Sequence, residues 1–320
     1  MFKGLAIALF VGTTLLGWVA RADDVRPPAE IIAVMSGDKP VYTAALAALQ
    51  HNLPQHIQIH GYSLGDWRKG GEALRAGKPG QIWVAIGAAA AAELLHQDAA
   101  KPTLSIMVPS TTYSRLLEQR PAAEGRNEQR RYAAIYMDQP AERQINLARL
   151  VQPDVKSIGT LFDEGSEKLA RSLVVTALNS GLKFSALQLN EKDNPLVALR
   201  EMYSQIDLYI AVPGEFIFNR SIAKWMLYLS LRNKKPLLGF SEEFVHAGAL
   251  AAVYSTPQDI GRQAGELIGA YLETGRFDGA SGFPAYFRVS VNRNVAGLLG
   301  LDLASDDLLT WELGKREMDR

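Results

Sequence analysis

Hydroxyls, glycines and carboxylates recur in this sequence directly after short apolar runs. They stand as Ser36-Gly37-Asp38, Gly87-Ala88, Pro109-Ser110-Thr111-Thr112-Tyr113, Asp163-Glu164-Gly165-Ser166, Pro213-Gly214-Glu215-Phe216, Phe240-Ser241-Glu242 and Tyr254-Ser255. In the first half, hydroxyls and glycines ahead of a helix expose backbone N–H groups, which suit an anionic group such as a carboxylate. In the second half, acids stand at three separate places: Asp163 or Glu164, Glu215, and Glu242 or Glu243. Such acids suit an ammonium or a ligand with several N–H donors. Any single one of them is better read as a helix cap or dipole partner, and only their recurrence raises ligand binding. Aromatics sit at the same places. Phe162 and Phe240 fit strand-end core positions, whereas Tyr113 and Phe216, among polar loop residues, are the better candidates to stack a ligand. The candidate ligand-binding set is therefore Ser36, Gly37, Gly87, Ser110, Thr111, Tyr113, Glu164, Ser166, Pro213, Glu215, Phe216 and Glu242.

Motifs for bond-making chemistry are missing. There is no G-x-S-x-G elbow: the nearest string, GFSEE at 239 to 243, carries Glu243 where the second glycine belongs. Neither a phosphate loop nor a G-x-G-x-x-G occurs. His56 and His60 are four apart, but HIQIH alternates as a strand does, so the pair lacks the helical geometry that brings two imidazoles to one metal. Without cysteine a thiolate site is excluded. No cofactor and no metal are expected.

The elements that position these residues follow from periodicity. Apolar runs at 30–36, 56–63, 81–87, 102–110 and 130–137 alternate with helical patterns such as 40–52 and 88–97. Near-continuous apolar strands separated by helices indicate a parallel sheet covered on both faces. The order then repeats, with strands at 157–162, 183–189, 207–213, 236–241 and 249–255 and helices at 166–180, 194–205 and 218–234. A helix at 257–274, a strand at 285–292 and a short helix ending at LLGL complete the two units and leave a mixed polar stretch, 304–320, as a frayed tail or surface helix. The fold class is α/β, two Rossmann-like lobes with parallel sheets joined by a multi-strand hinge. Ligands of such sheets bind beyond the carboxyl ends of the strands, where the candidate residues lie. The expected division is 23–138 with about 256–282 as the first lobe, 139–255 with about 283–303 as the second, and 304–320 as a tail.

Residues 1–22 read as a cleaved export signal: Lys3, an apolar run from Leu5 to Ala20, and the small-x-small site Ala20-Arg21-Ala22. The run is shorter than the ~20 residues that span hydrocarbon. Cutting after Ala22 leaves 32 basic against 34 acidic residues, a balance that argues against a nucleic-acid partner. The basic cluster RNEQRR at 126–131 precedes a strand and reads as a solvated loop. The expected compartment is the periplasm and the expected state a monomer.

The segment GALAAVYSTPQDIGRQAGELIGAYLETGRF from Gly248, followed by FRVSVNRNVAGLLGLDL, resembles the C-terminal part of the ABC-transporter substrate-binding family that includes tryptophan- and tyrosine-binding members. The resemblance rests on Gly248-Ala249-Leu250-Ala251, Gly261-Arg262-Gln263, Gly275, and Asn292 through Ala296 to Leu299-Gly300-Leu301, and runs most clearly from about 137 to 303. It implies a type I periplasmic-binding-protein-like pair of lobes closing on a small solute, without catalysis, and delivery to an ABC permease. The residues Ser255 to Asp259 are assigned to the hinge, with Thr256 or Ser255 capping the next helix. Where aromatic amino-acid binders carry a Tyr-Gly-Pro-Asp-Tyr-like run, this chain has AVYSTPQD, and Asp163-Glu164 adds charge where the family has VIGVLYNP. Both departures point to a more polar or cationic solute. Two alternatives stay open: a sensory or accessory binding protein using the same closure, and an exported hydrolase that would rely on Glu164, Glu215 and Glu242 as acid and base.

Overall fold

Apolar residues on both faces of a strand force it into the middle of a layered structure, and β1 (Glu30–Met35) shows why. Its Ile31, Ala33 and Met35 face one buried cluster while Ile32 and Val34 face another. The structure, a computed structural model, describes residues 30–78, 80–97, 101–120, 131–214, 216, 217, 219–277 and 281–318. The export signal, Glu215 and most of RNEQRR lie outside these residues.

After β1 come α1 (Pro40–His51), β2 (Gln58–Ser63), α2 (Leu64–Lys69), α3 (Gly71–Ala76), β3 (Ile82–Ile86), α4 (Ala88–His96), β4 (Thr103–Val108), α5 (Ser110–Glu118) and β5 (Tyr132–Tyr136). The five strands form one parallel sheet in the order β2-β1-β3-β4-β5. The second half runs α6 (Ala141–Val151), β6 (Ser157–Phe162), α7 (Glu167–Asn179), β7 (Lys183–Gln188), α8 (Pro195–Gln205), β8 (Leu208–Ile210), α9 (Arg220–Arg232), β9 (Leu237–Gly239), α10 (Glu242–His246) and β10 (Ala251–Tyr254). Then follow α11 (Pro257–Thr274), β11 (Arg288–Val291), α12 (Arg293–Leu299) and α13 (Asp306–Met318). The second sheet has the order β11-β10-β9-β8-β6-β7. Four of its five pairings are parallel, and the fifth is that of edge strand β11, which enters antiparallel to β10 because the chain returns from the first lobe.

The chain crosses between the sheets three times, at 137–140, 255–256 and 282–287. After the second crossing α11 lies on α1 and buries Ile260, Ala264 and Ile268 in the first core. The contact is close because Gly261 and Gly265 present no side chain: a Cβ on Gly261 would come within 2.3 Å of the Ala45 carbonyl oxygen, and one on Gly265 within 2.8 Å of Asn52. The last residues form α13, not a frayed end. Leu309 and Leu313 are buried in the second core, since an i, i+4 apolar pair on an otherwise polar helix gives it one face to dock.

The α1–α11 contact yields a paired prediction. Gly261→Val should lower stability by about 3 kcal/mol through overpacking against backbone. Gly269→Ala, whose Cβ meets nothing within 4 Å, should raise it by about 0.5–1 kcal/mol as a helix-interior glycine replacement. Urea unfolding midpoints of the two variants measure both.

Candidate functional site

In the first lobe, the protein's own oxygens take up one N–H at the start of each of α4 and α5. Gly87 precedes α4 with φ 93° and brings no capping side chain, and the Ser36 hydroxyl, from the end of β1, accepts the Ala90 N–H at 2.9 Å in its place. A Cβ on Gly87 would lie 2.6 Å from the Ser36 oxygen and 3.0 Å from the Tyr42 ring, so Ser36, Gly87 and Tyr42 pack as a unit. Gly37 beside them is open, with nothing within 4 Å of its absent Cβ. A bulge in β4, with Met107 at φ 54°, redirects the chain just before α5. There the Ser110 N–H donates to one oxygen of Asp138 at 2.7 Å and its hydroxyl to the other at 2.5 Å. Burial pushes the Asp138 carboxyl above its ordinary range, against the lowering effect of these Ser110 bonds. Thr111 is half-buried next to it.

Ser36 thus accepts the Ala90 N–H, and Ser110 gives both its N–H and its hydroxyl to Asp138. Tyr113 does not stand free in a loop. It is 1% exposed, packed under α5 with its ring 6.0 Å from Tyr136, because position i+3 from Ser110 falls on the inner face of the helix.

In the second lobe Asp163 is the organising acid. Its carboxylate accepts the Ser166 hydroxyl (2.6 Å), the Ser166 N–H (3.0 Å) and the Phe216 N–H (3.0 Å), joining the β6 loop to the loop before α9. Burial works to raise its pKa, but the Ser166 hydroxyl and the Phe216, Ile217 and Ser166 N–H groups outweigh it and hold the carboxyl below the usual range. A Cβ on Gly214 would sit 2.4 Å from this carboxylate, so glycine is required there. Ser166 is thereby buried as the partner of Asp163, which corrects its reading as a free ligand group. Glu164 and Pro213 remain exposed at this end, and Phe216 is half-buried against the core.

Glu242 lies on another part of the same rim. It is half-buried at the start of α10 and faces Tyr254, whose hydroxyl is pushed up to about 12 by burial first and by Glu242 second. Next to Tyr254, Arg288 pairs with Asp259 at 3.0 and 3.1 Å. Thr256 and Asp259 form a reciprocal capping box on α11 with Pro257 in its first turn, so Thr256 is the cap. Ser255 does something else. It accepts from the Gln139 amide at 2.9 Å and donates to the Tyr286 carbonyl at 2.6 Å, linking all three crossings. Arg143, 4% exposed, completes the link: its guanidinium donates to the Gln139 side chain (2.5 Å) and the Pro284 carbonyl (3.0 Å) and lies 3.7 Å over the Phe287 ring. Its other edge makes a two-point ion pair with Glu317 of α13 at 2.6 and 2.8 Å. Away from the crossings, Lys168 of α7 and Glu118 of α5 stand 3.6 Å apart, an exposed ion pair between the lobes.

Among sequence signals, Asp138 was recoverable: it follows the apolar run of β5, which like that of β2 was left out of the candidate set. Arg143, Gln139 and Glu317 had no such signal, being separated by up to 174 positions.

Residues 130–277 match the model of the ABC transporter substrate binding protein family. No curated protein matches the chain. Several solved structures share its fold. An ABC domain from Streptococcus pneumonia, in complex with L-Trp, aligns with a TM-score of 0.58 and 18% identity over 88% of this chain and 98% of its own. A substrate binding protein with adhesive properties from Clostridium difficile, in its ligand-free open form, gives a TM-score of 0.69 and 16% identity over 87% and 97%. An arabinose binding protein from Geobacillus stearothermophilus gives 0.52 and 10% over 85% and 99%.

Two variants test the roles of these groups. Asp163→Ala should cost about 3 kcal/mol by leaving the Ser166 and Phe216 N–H groups unmatched. Because the folded carboxyl is held below its usual range, wild-type stability from this group is complete above that range and is lost as pH falls through the lowered value. The variant's urea midpoint should therefore converge on wild type in acid. Glu317→Gln removes the charge facing buried Arg143. It should cost about 1–2 kcal/mol and speed amide exchange in α13 and at 282–287.

Two Rossmann-like α/β lobes and three crossings tied by one hydrogen-bond chain give this chain the type I periplasmic-binding-protein-like fold of those solved structures, and its residues 130–277 match the ABC transporter substrate binding protein family model.

Proposed function

We propose that this chain is an exported solute-binding protein that captures one small polar or amphoteric solute between the strand ends of its two lobes and hands it to an ABC-type importer. The observation that carries the reading is the construction of the hinge. Each sheet has its own core, and the lobes are joined by three short crossings bound to one another, which lets them close on a guest as rigid bodies. The family match supports the importer as partner, and the apolar segment at 5–20 supports export to the periplasm.

The chemistry of the two rims bears on the solute. Ser36 and Asp138 take one N–H each at the α4 and α5 starts, and the first lobe further offers Gly37, Tyr42 and Thr111. The second lobe offers Glu164 and Glu242 with Phe216 between the polar loops. A solute with an ammonium or several N–H donors, and an apolar portion for Phe216, suits this set better than a simple anion. The L-Trp held by the Streptococcus relative is amphoteric and gives the size class to test first.

Native mass spectrometry of protein recovered from its own compartment should show a small molecule bound at one per chain. Calorimetry with a panel of amino acids, amines and small neutral metabolites should then find a saturable ligand, weakened about tenfold or more in Glu164→Gln/Glu242→Gln. A chain that comes out empty and binds nothing in the panel would end this reading.

A further inference from the structure

The outer face of the second lobe carries charge of one sign. From Phe216 to Ser241 the chain has five basic residues, Arg220, Lys224, Arg232, Lys234 and Lys235, and no acid, in a protein whose formal charge is zero. Helix α9 supplies most of this stretch. It buries Ile222, Met226 and Leu229 and leaves Trp225 (41% exposed), Tyr228 (48%) and Leu231 on the outside, beside Lys224 and Arg232. Trp225 and Tyr228 meet edge to face with centroids 5.9 Å apart, and the Arg232 guanidinium lies 5.9 Å from the Tyr228 ring.

At the far end of α9 the patch continues onto the N-terminal edge of the second sheet. Lys183 and Lys156 are neighbours there through a 2.9 Å backbone hydrogen bond, and Lys235 stands beyond the intervening β8, just before β9. The acids beside it are Asp154, exposed two residues before Lys156, and Asp207 and Glu201. Asp207 is engaged by the N–H groups of Lys156 and Ser157 and by Lys235 at 3.6 Å, and Glu201 is exposed on α8. The balance stays strongly positive.

Cations alone would serve any acidic surface. Cations flanking an exposed tryptophan and tyrosine suit one surface in particular, where aromatic rings settle among lipid headgroups and Lys and Arg meet phosphate. We propose that α9 and the basic edge of the second sheet dock the second lobe on a bilayer containing anionic phospholipid. The patch lies at the outer face and base of that lobe, away from the strand ends, so docking leaves the solute site open.

Vesicle sedimentation of the full chain tests this. Wild-type protein should partition onto phosphatidylcholine vesicles containing phosphatidylglycerol at least about tenfold better than onto phosphatidylcholine alone, and added salt should reverse the gain. Lys224→Glu/Arg232→Glu/Lys234→Glu should lose the preference for the anionic lipid, and Trp225→Ala/Tyr228→Ala should weaken binding to it about tenfold. All variants keep the apolar N-terminal segment, so their difference from wild type reads the patch alone. Thermal unfolding confirms that each is folded, and the single exposed change Lys224→Glu with the salt titration stands in for any that is not. Equal partition onto both lipids, variants that bind as wild type does, or capture by an acidic protein matrix without vesicle binding would each overturn the proposal.

Discussion

A single buried guanidinium holds the two halves of this molecule in relation to each other. Arg143 cannot shed its charge, and it sits where the three crossings converge, so every N–H it turns inward must find an oxygen. Those oxygens come from Gln139 on the first crossing, Pro284 on the third and Glu317 on the C-terminal helix, while Ser255 ties the second crossing to the other two. A hinge built this way is strong in its connections but short in its segments. Each lobe keeps its own apolar core on its side of these connections.

The same accounting of polar groups shapes the rims above the hinge. Helix starts demand acceptors, and here the chain supplies a side-chain one of its own at several of them: Ser36 for α4, Asp138 at α5, Asp163 at the turn before α7, Asn219 for α9, Ser241 for α10 and Thr256 with Asp259 for α11.

The elements were legible in the sequence because each depends on local pattern. The run SIGTLF becomes a strand over the same six residues, and PQDIGRQAGELIGAYLET becomes a helix over the same eighteen, since one is apolar on both faces and the other carries a capping box at one end and a glycine in the left-handed region at the other. The places beyond each strand were legible too, because a parallel sheet puts them on one edge. The roles of the residues there were not. Ser36, Ser110 and Ser166 look alike as hydroxyls after apolar runs, yet each is engaged within the protein: Ser36 and Ser110 by Ala90 and Asp138, which arrive from elsewhere, and Ser166 by Asp163 three residues before it. Tyr113 went astray for a different reason, the phase of a short helix whose start the sequence left open.

What the sequence determined by itself was the order of strands and helices, the doubling of that order, and the family to which residues 130–277 match, since periodicity and capping operate over a few residues at a time. Only the tertiary structure decided which polar groups are available and how the halves are joined. Hydrogen bonds such as Arg143 to Glu317 link positions 174 apart, and whether a buried charge or hydroxyl is satisfied depends on what folding brings beside it.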